Sequence, residues 1–68
     1  SNFQAEKVSR LQAWIASQPQ RPEHITAYSD SRNDIPLLEF ADEAVVVDAD
    51  PVLLAHARAR NWRSLSLR

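Results

Sequence analysis

Residues 24–48, HITAYSDSRNDIPLLEFADEAVVVD, decide the fold of this chain. HITAY (24–28) is a short run with an apolar, strand-forming character, and SDSRND (29–34) is a polar turn. IPLLEFA (35–41) reads as a helix, with Pro36 in its first turn, where proline costs no hydrogen bond. EAVVVD (43–48) reads as a second strand, and its unbroken valine run is the pattern of a strand buried on both faces of a parallel sheet. Strand, helix and strand in this order form a crossover unit, because parallel strands need a long connection.

The flanks extend the same alternation. Downstream, Asp50 is placed to cap a helix with Pro51 at its first position. That helix runs to about Arg60, and Asn61 is placed for the left-handed residue that ends it. The chain contains no glycine, so Asn, Asp or Ser must fill any such position. RSLSL (63–67) alternates and reads as a strand with one covered face. Upstream, residues 4–17 read as a helix. Phe3, Val8, Leu11, Trp14 and Ile15 recur on one face, and QPQRPE (18–23) is a loop broken by Pro19 and Pro22. The order α-β-α-β-α-β predicts an α/β fold with a parallel sheet.

Composition narrows the function. Sixty-eight residues make at most one small domain, and 44% hydrophobic content argues against disorder. There is no cysteine, so no disulfide can reinforce a thin core, and His24 and His56 stand apart rather than in a zinc pattern. Eight basic and nine acidic residues give a net charge of −1, which offers no electrostatic reason to expect nucleic acid or a membrane surface. Arg58, Arg60, Arg63 and Arg68 read as a solvated helix end. No apolar run approaches the roughly 20 residues of a membrane span. The lack of cysteine permits a cytoplasmic location. Trp14 and Trp62 are expected in packing, Tyr28 in the strand with its hydroxyl at the rim, and both histidines as surface or satisfied residues.

The turn at 29–34 is where chemistry can lie. In open parallel sheets ligands gather at the C-terminal ends of strands, and Asp30 falls there. Asn33 and Asp34 follow at the start of the next helix, where amides and the helix dipole favour anions. Carboxylates beside an anion-attracting helix start suit Mg²⁺ and a phosphate together, since Mg²⁺ takes one or two carboxylates and completes its shell with waters and phosphate. The same residues are also ordinary caps, and Ser31-x-x-Asp34 resembles a capping box. Spacing alone puts capping first. Lys7 shifts the balance: at about 100° per residue it falls within the covered arc of its helix, near an N-terminus where a cation is disfavoured. Either it snorkels, with its stem covering apolar surface, or it serves a site.

KVSRLQAWI (7–15), YSDSRNDIPLLE (28–39) and VVVDADPVLLAHARARNW (45–62) together resemble the C-terminal part of a haloacid dehalogenase superfamily phosphatase, of the phosphoserine-phosphatase-like branch. The resemblance runs from about Phe3 to Leu67. It implies a partial Rossmann-like core and the hydrolysis of small phosphomonoesters with Mg²⁺ through an aspartyl-phosphate. It implies that Lys7 holds the phosphate and the nucleophilic carboxylate, that Asp30 ligates Mg²⁺, that Asp34 acts as the second acid through metal-bound water, and that Asn33 contacts phosphate or the lysine. Ser29 stands where many relatives have glycine, a position at which a small hydroxyl is expected to be tolerated.

The family's nucleophile motif, DxDx(T/V), and its specificity cap precede the lysine and are not found in residues 1–68. VVVDADPV (45–52) matches that motif by letter, but its place after the metal turn assigns Asp50-Pro51 to a helix cap, and Asp48 is not accepted as the nucleophile. The chain alone is therefore expected to be inactive and to need the remaining N-terminal part of the domain. The competing expectation is a non-catalytic α/β module that binds a partner through its open sheet edge.

Overall fold

The computed structural model describes residues 3–67, with side chains described for 6–67. Helix α1 spans Phe3–Ser17, strand β1 Thr26–Ser29, helix α2 Ile35–Phe40, strand β2 Glu43–Val47, helix α3 Pro51–Arg60 and strand β3 Arg63–Leu65. A single 3₁₀ turn, Arg32–Asp34, leads directly into α2. The three strands form one parallel sheet in the order β1-β2-β3. The α/β architecture is as expected, and it corresponds to part of a Rossmann-like fold.

The register explains the core. Ala27 pairs with Ala44, and Ser29 with Val46. These four residues turn to one face of the sheet, because successive side chains on a strand alternate. Ala27, Ala44 and Val46 join Leu38 of α2 with Leu53 and Ala57 of α3 in one buried cluster. Alpha2 packs on β1 and β2, α3 packs on β2 and β3, and α1 packs on α2. Val45 and Val46 are both buried, as the valine run requires of a central strand.

The caps form as the sequence dictates. Asp50 accepts from the Leu53 N–H at 2.8 Å, with Pro51 behind it. Asn61 takes φ 59° and ψ 35°, the left-handed conformation that asparagine tolerates when glycine is missing. This turns the chain so that Trp62 packs against the core while the Arg60 guanidinium lies 5.6 Å from its ring centroid.

The structure departs from the sequence reading at its surfaces. Beta1 begins at Thr26, so His24 and Ile25 precede it and Ser29 belongs to it. Ile25 is held outside the strand by its N–H donating to the Asp42 carboxylate at 2.8 Å. Trp14 is 57% exposed rather than packed. Measured from the buried Ile15 it lies about 100° around the helix, at the margin of the covered face. Tyr28 is 64% exposed, because it points to the sheet face opposite α2 and α3. Beta3 is shorter than 63–67, and all three of its residues are exposed. It is an edge strand, and Leu65 belongs to the same uncovered surface. Arg58, Arg60 and Arg63 are exposed, in keeping with a solvated helix end, while Arg68 lies outside the described residues, as does the side chain of Phe3. His24 is exposed, and His56 is partly buried with Nδ1 2.8 Å from Arg60 Nη1.

Candidate active site

Ser29 closes β1, and the chain turns at once through Asp30 and Ser31 into the 3₁₀ turn. Ser31 caps that turn: its hydroxyl accepts from the Asn33 N–H at 3.1 Å, and its carbonyl accepts from the Asp34 N–H at 3.0 Å. The amides at the start of this turn are thereby spent within it. That differs from the expectation that they face outward to an anion, and it arises because a short 3₁₀ turn precedes α2.

Asp34 does not complete a capping box, since its side chain makes no capping hydrogen bond. Instead its two oxygens are held from two different elements. Lys7 Nζ, on α1, donates to Oδ1 at 2.7 Å, and Ser29 Oγ, at the end of β1, donates to Oδ2 at 2.8 Å. The lysine that sequence reading placed on the covered arc of its helix thus reaches the acidic turn 27 residues away. Its amine ends on a carboxylate, so a snorkelling stem alone does not describe it. Its side chain remains 40% exposed. The contact with the turn is made through Asp34.

The ammonium that donates to Asp34 holds its carboxyl below the usual carboxylate range, against partial burial, which pushes it up. The Ser29 hydroxyl and the lysine charge act in the same downward direction. A depressed folded value means that the ionised form stabilises the fold above the unfolded pKa, near 3.8, and that this contribution is lost as pH falls through the folded value. Acid titration of the folded protein is therefore expected to leave the Lys7–Asp34 pair intact from pH 8 to 5. Its contribution should disappear only below about pH 4, and an Asp34→Asn variant should lose that part of the acid dependence. Identical acid profiles for the two proteins would contradict it.

Asp30 and Asn33 are exposed at the same strand end. Arg32 reaches from the turn toward the cap of α3, with Nε 3.6 Å from Asp50 Oδ2. This bridge ties together the tips of β1 and β2. Asp48, which follows β2, is occupied otherwise: its carboxylate accepts from the Leu67 N–H at 3.0 Å, and its own N–H donates to the Leu65 carbonyl at 2.9 Å. It sits at φ 47° and anchors the tail after β3. Asp50 is likewise engaged, as the cap of α3.

Among the described residues, no group of three or more His, Cys, Asp or Glu side chains could hold a metal ion. The acidic turn still fits Mg²⁺, which needs only one or two carboxylates. Asp30 is exposed for direct ligation, and Asp34, with both oxygens already bonded, suits contact through water. Ser29 was missed as a partner of this group. The available signal was a small hydroxyl two residues before a turn-capping serine, at the end of an alternating strand.

No family model matches the chain. The histidinol-phosphatase of Neisseria meningitidis serogroup C (strain 8013) is 35% identical over 68 residues, covering 91% of this chain and 29% of that protein. A phosphoserine phosphatase of Mycobacterium tuberculosis is 49% identical over 37 residues, 54% of this chain and 12% of that protein. A crystal structure of a protein of unknown function from Bordetella pertussis Tohama I superposes with a TM-score of 0.79 at 34% identity, covering 91% of this chain and 29% of that one. The chain thus spans less than a third of the length of the curated relatives it matches. Over nearly all of its length the chain is similar to one segment of proteins named as phosphatases.

Proposed function

We propose that the chain is a working segment of a Mg²⁺-dependent phosphomonoester hydrolase, one that supplies the lysine and the metal-binding acids while the remainder of the protein supplies an aspartate nucleophile. The observation that carries this reading is the Lys7–Asp34 contact at 2.7 Å, which brings an ammonium from α1 to an acidic turn at the C-terminal end of a parallel strand. A phosphoryl group in transfer carries spread negative charge, so catalysis rests on positioning and on cations held ready for it.

In this reading each residue has a task. Asp30 holds the divalent cation directly, and Asp34 orients the water between itself and that cation. Lys7 donates to a phosphate oxygen, and Asn33 contacts phosphate at the rim. Mg²⁺ supplies neutralisation of the phosphate oxygens when bound. The free edge of β1 and the exposed Tyr28 and Leu65 take the remaining part of the domain, since parallel sheets are almost always covered on both faces. The substrate is a small phosphomonoester.

The test is phosphate release from p-nitrophenyl phosphate by the full-length protein that carries this segment. Turnover is expected with Mg²⁺ and not after chelation by EDTA. Turnover that is indifferent to chelation, or none under any divalent cation, would remove the reading.

A further inference from the structure

We propose that Ser29 is a positioning residue whose hydroxyl fixes the Asp34 carboxylate in the orientation that receives the Lys7 ammonium. The side chain is buried, at 9% exposure, at the last position of β1. Its oxygen accepts from the Ser31 N–H at 3.0 Å and donates to Asp34 Oδ2 at 2.8 Å. A hydroxyl has one proton to give. The Ser31 carbonyl lies farther away, at 3.4 Å, and an ionised carboxylate is the stronger acceptor, so the proton goes to Asp34. The Ser31 amide occupies a lone pair of the same oxygen and thereby sets the direction of that proton.

The effect on Asp34 follows from geometry. The terminal torsion of an aspartate is soft and broad. Held at Oδ1 alone, by a flexible lysine, the carboxylate can rotate. Held also at Oδ2 by a group at the end of a strand, it cannot, and the ammonium is fixed in turn. Glycine at this position could make neither bond, so here the hydroxyl is part of the support for the acidic turn. The catalytic consequence rests on the phosphatase reading, whereas the coupling between Ser29 and Asp34 does not.

The experiment is a double-mutant cycle in the full-length protein that carries this segment, with Ser29→Ala, Ser29→Thr, Asp34→Ala and the double variant Ser29→Ala/Asp34→Ala. Misplacement of a charged group by about 1 Å can cost on the order of 10²-fold. Ser29→Ala is therefore expected to lower kcat by about 10-fold or more with KM changed less than about threefold, and Ser29→Thr, which keeps the hydroxyl, to recover most of the loss. In the Asp34→Ala background, Ser29→Ala should change turnover by less than about twofold, because groups acting as a unit are not additive. Thermal melts of the ligand-free wild-type protein and these variants supply a readout independent of turnover: the Tm drop from Ser29→Ala should be smaller once Asp34 is gone. Equal effects of Ser29→Ala in both backgrounds would overturn the proposal and leave Ser29 as a packing residue. If the protein lacks phosphatase activity, or Asp34→Ala leaves none to measure, the melts alone decide the coupling.

Discussion

Lys7→Ala in the full-length protein is expected to reduce kcat by about 10³-fold, the loss typical when a charge-stabilising donor is removed from a preorganised site. The same replacement should barely move the melting temperature. The Lys7–Asp34 pair is partly exposed, with 40% and 22% side-chain exposure, and such pairs contribute roughly 0–1 kcal/mol. A large kinetic loss with little thermal change separates a catalytic cation from a structural staple between α1 and α2. Lys7→Arg is not expected to rescue the rate. The guanidinium is a planar fork, and a site shaped around a compact ammonium offers it no matching geometry. Asp30→Ala should be similarly severe, because it removes the exposed carboxylate at the strand end. Near-normal turnover in Lys7→Ala or Asp30→Ala would end the residue assignment while leaving the fold untouched.

The isolated chain of residues 1–68 is expected to show no phosphatase turnover and no sharp thermal transition. Covalent phosphoryl transfer to an aspartate needs a free carboxylate facing the cation. The carboxylates after β2 are committed: Asp48 to the Leu67 amide and Asp50 to the Leu53 amide. The physical case for marginal stability is equally direct. The sheet has three short parallel strands with helices packed on one face, and β1 and β3 both present unpaired edges. Tyr28, Leu65 and Leu67 stand exposed on or beside this sheet. Small chains have a high ratio of surface to core, and this one has no disulfide to compensate. The check is a thermal melt of the chain shown to be monomeric by sedimentation, beside a p-nitrophenyl phosphate assay with Mg²⁺. A cooperative melt would refute the need for further chain. Metal-dependent turnover that Asp48→Asn abolishes would restore the motif at 48–52 as a nucleophile.

Membrane association finds no support in the helices, since no helix among the described residues is long and apolar enough to cross a bilayer. The contact between Arg32 and Asp50 bears instead on how the turn is held. It links the acidic turn to the N-terminus of α3 across an exposed 3.6 Å ion pair.

Much of the fold was legible because its signals are local. The valine run, the cap Asp50-Pro51 and the left-handed Asn61 each act within a few residues, and each formed where the sequence placed it. The ends of β1 and β3 were not legible to the residue. Where pairing stops depends on the neighbouring strand: β1 starts at Thr26 because Thr26 is the first residue in register with Glu43. Trp14 and Tyr28 were misplaced for a related reason. Apolar character says that a side chain gains by burial, but not whether an element exists to cover it.

The acidic turn itself was determined by sequence alone: a strand, an abrupt polar turn and a helix leave Asp30 and Asp34 at a strand end whatever the rest does. The partners of Asp34 were decided only by tertiary structure. The Lys7 bond spans 27 residues and exists because α1 packs on α2. The Ser29 bond exists because a 3₁₀ turn, rather than a direct entry into the helix, folds Asp34 back over the end of β1. Periodicity fixes which way a side chain points from its own element. Which group it meets depends on how the elements are stacked: for Lys7 on the packing of α1 against α2, and for Ser29 on the 3₁₀ turn that follows its strand.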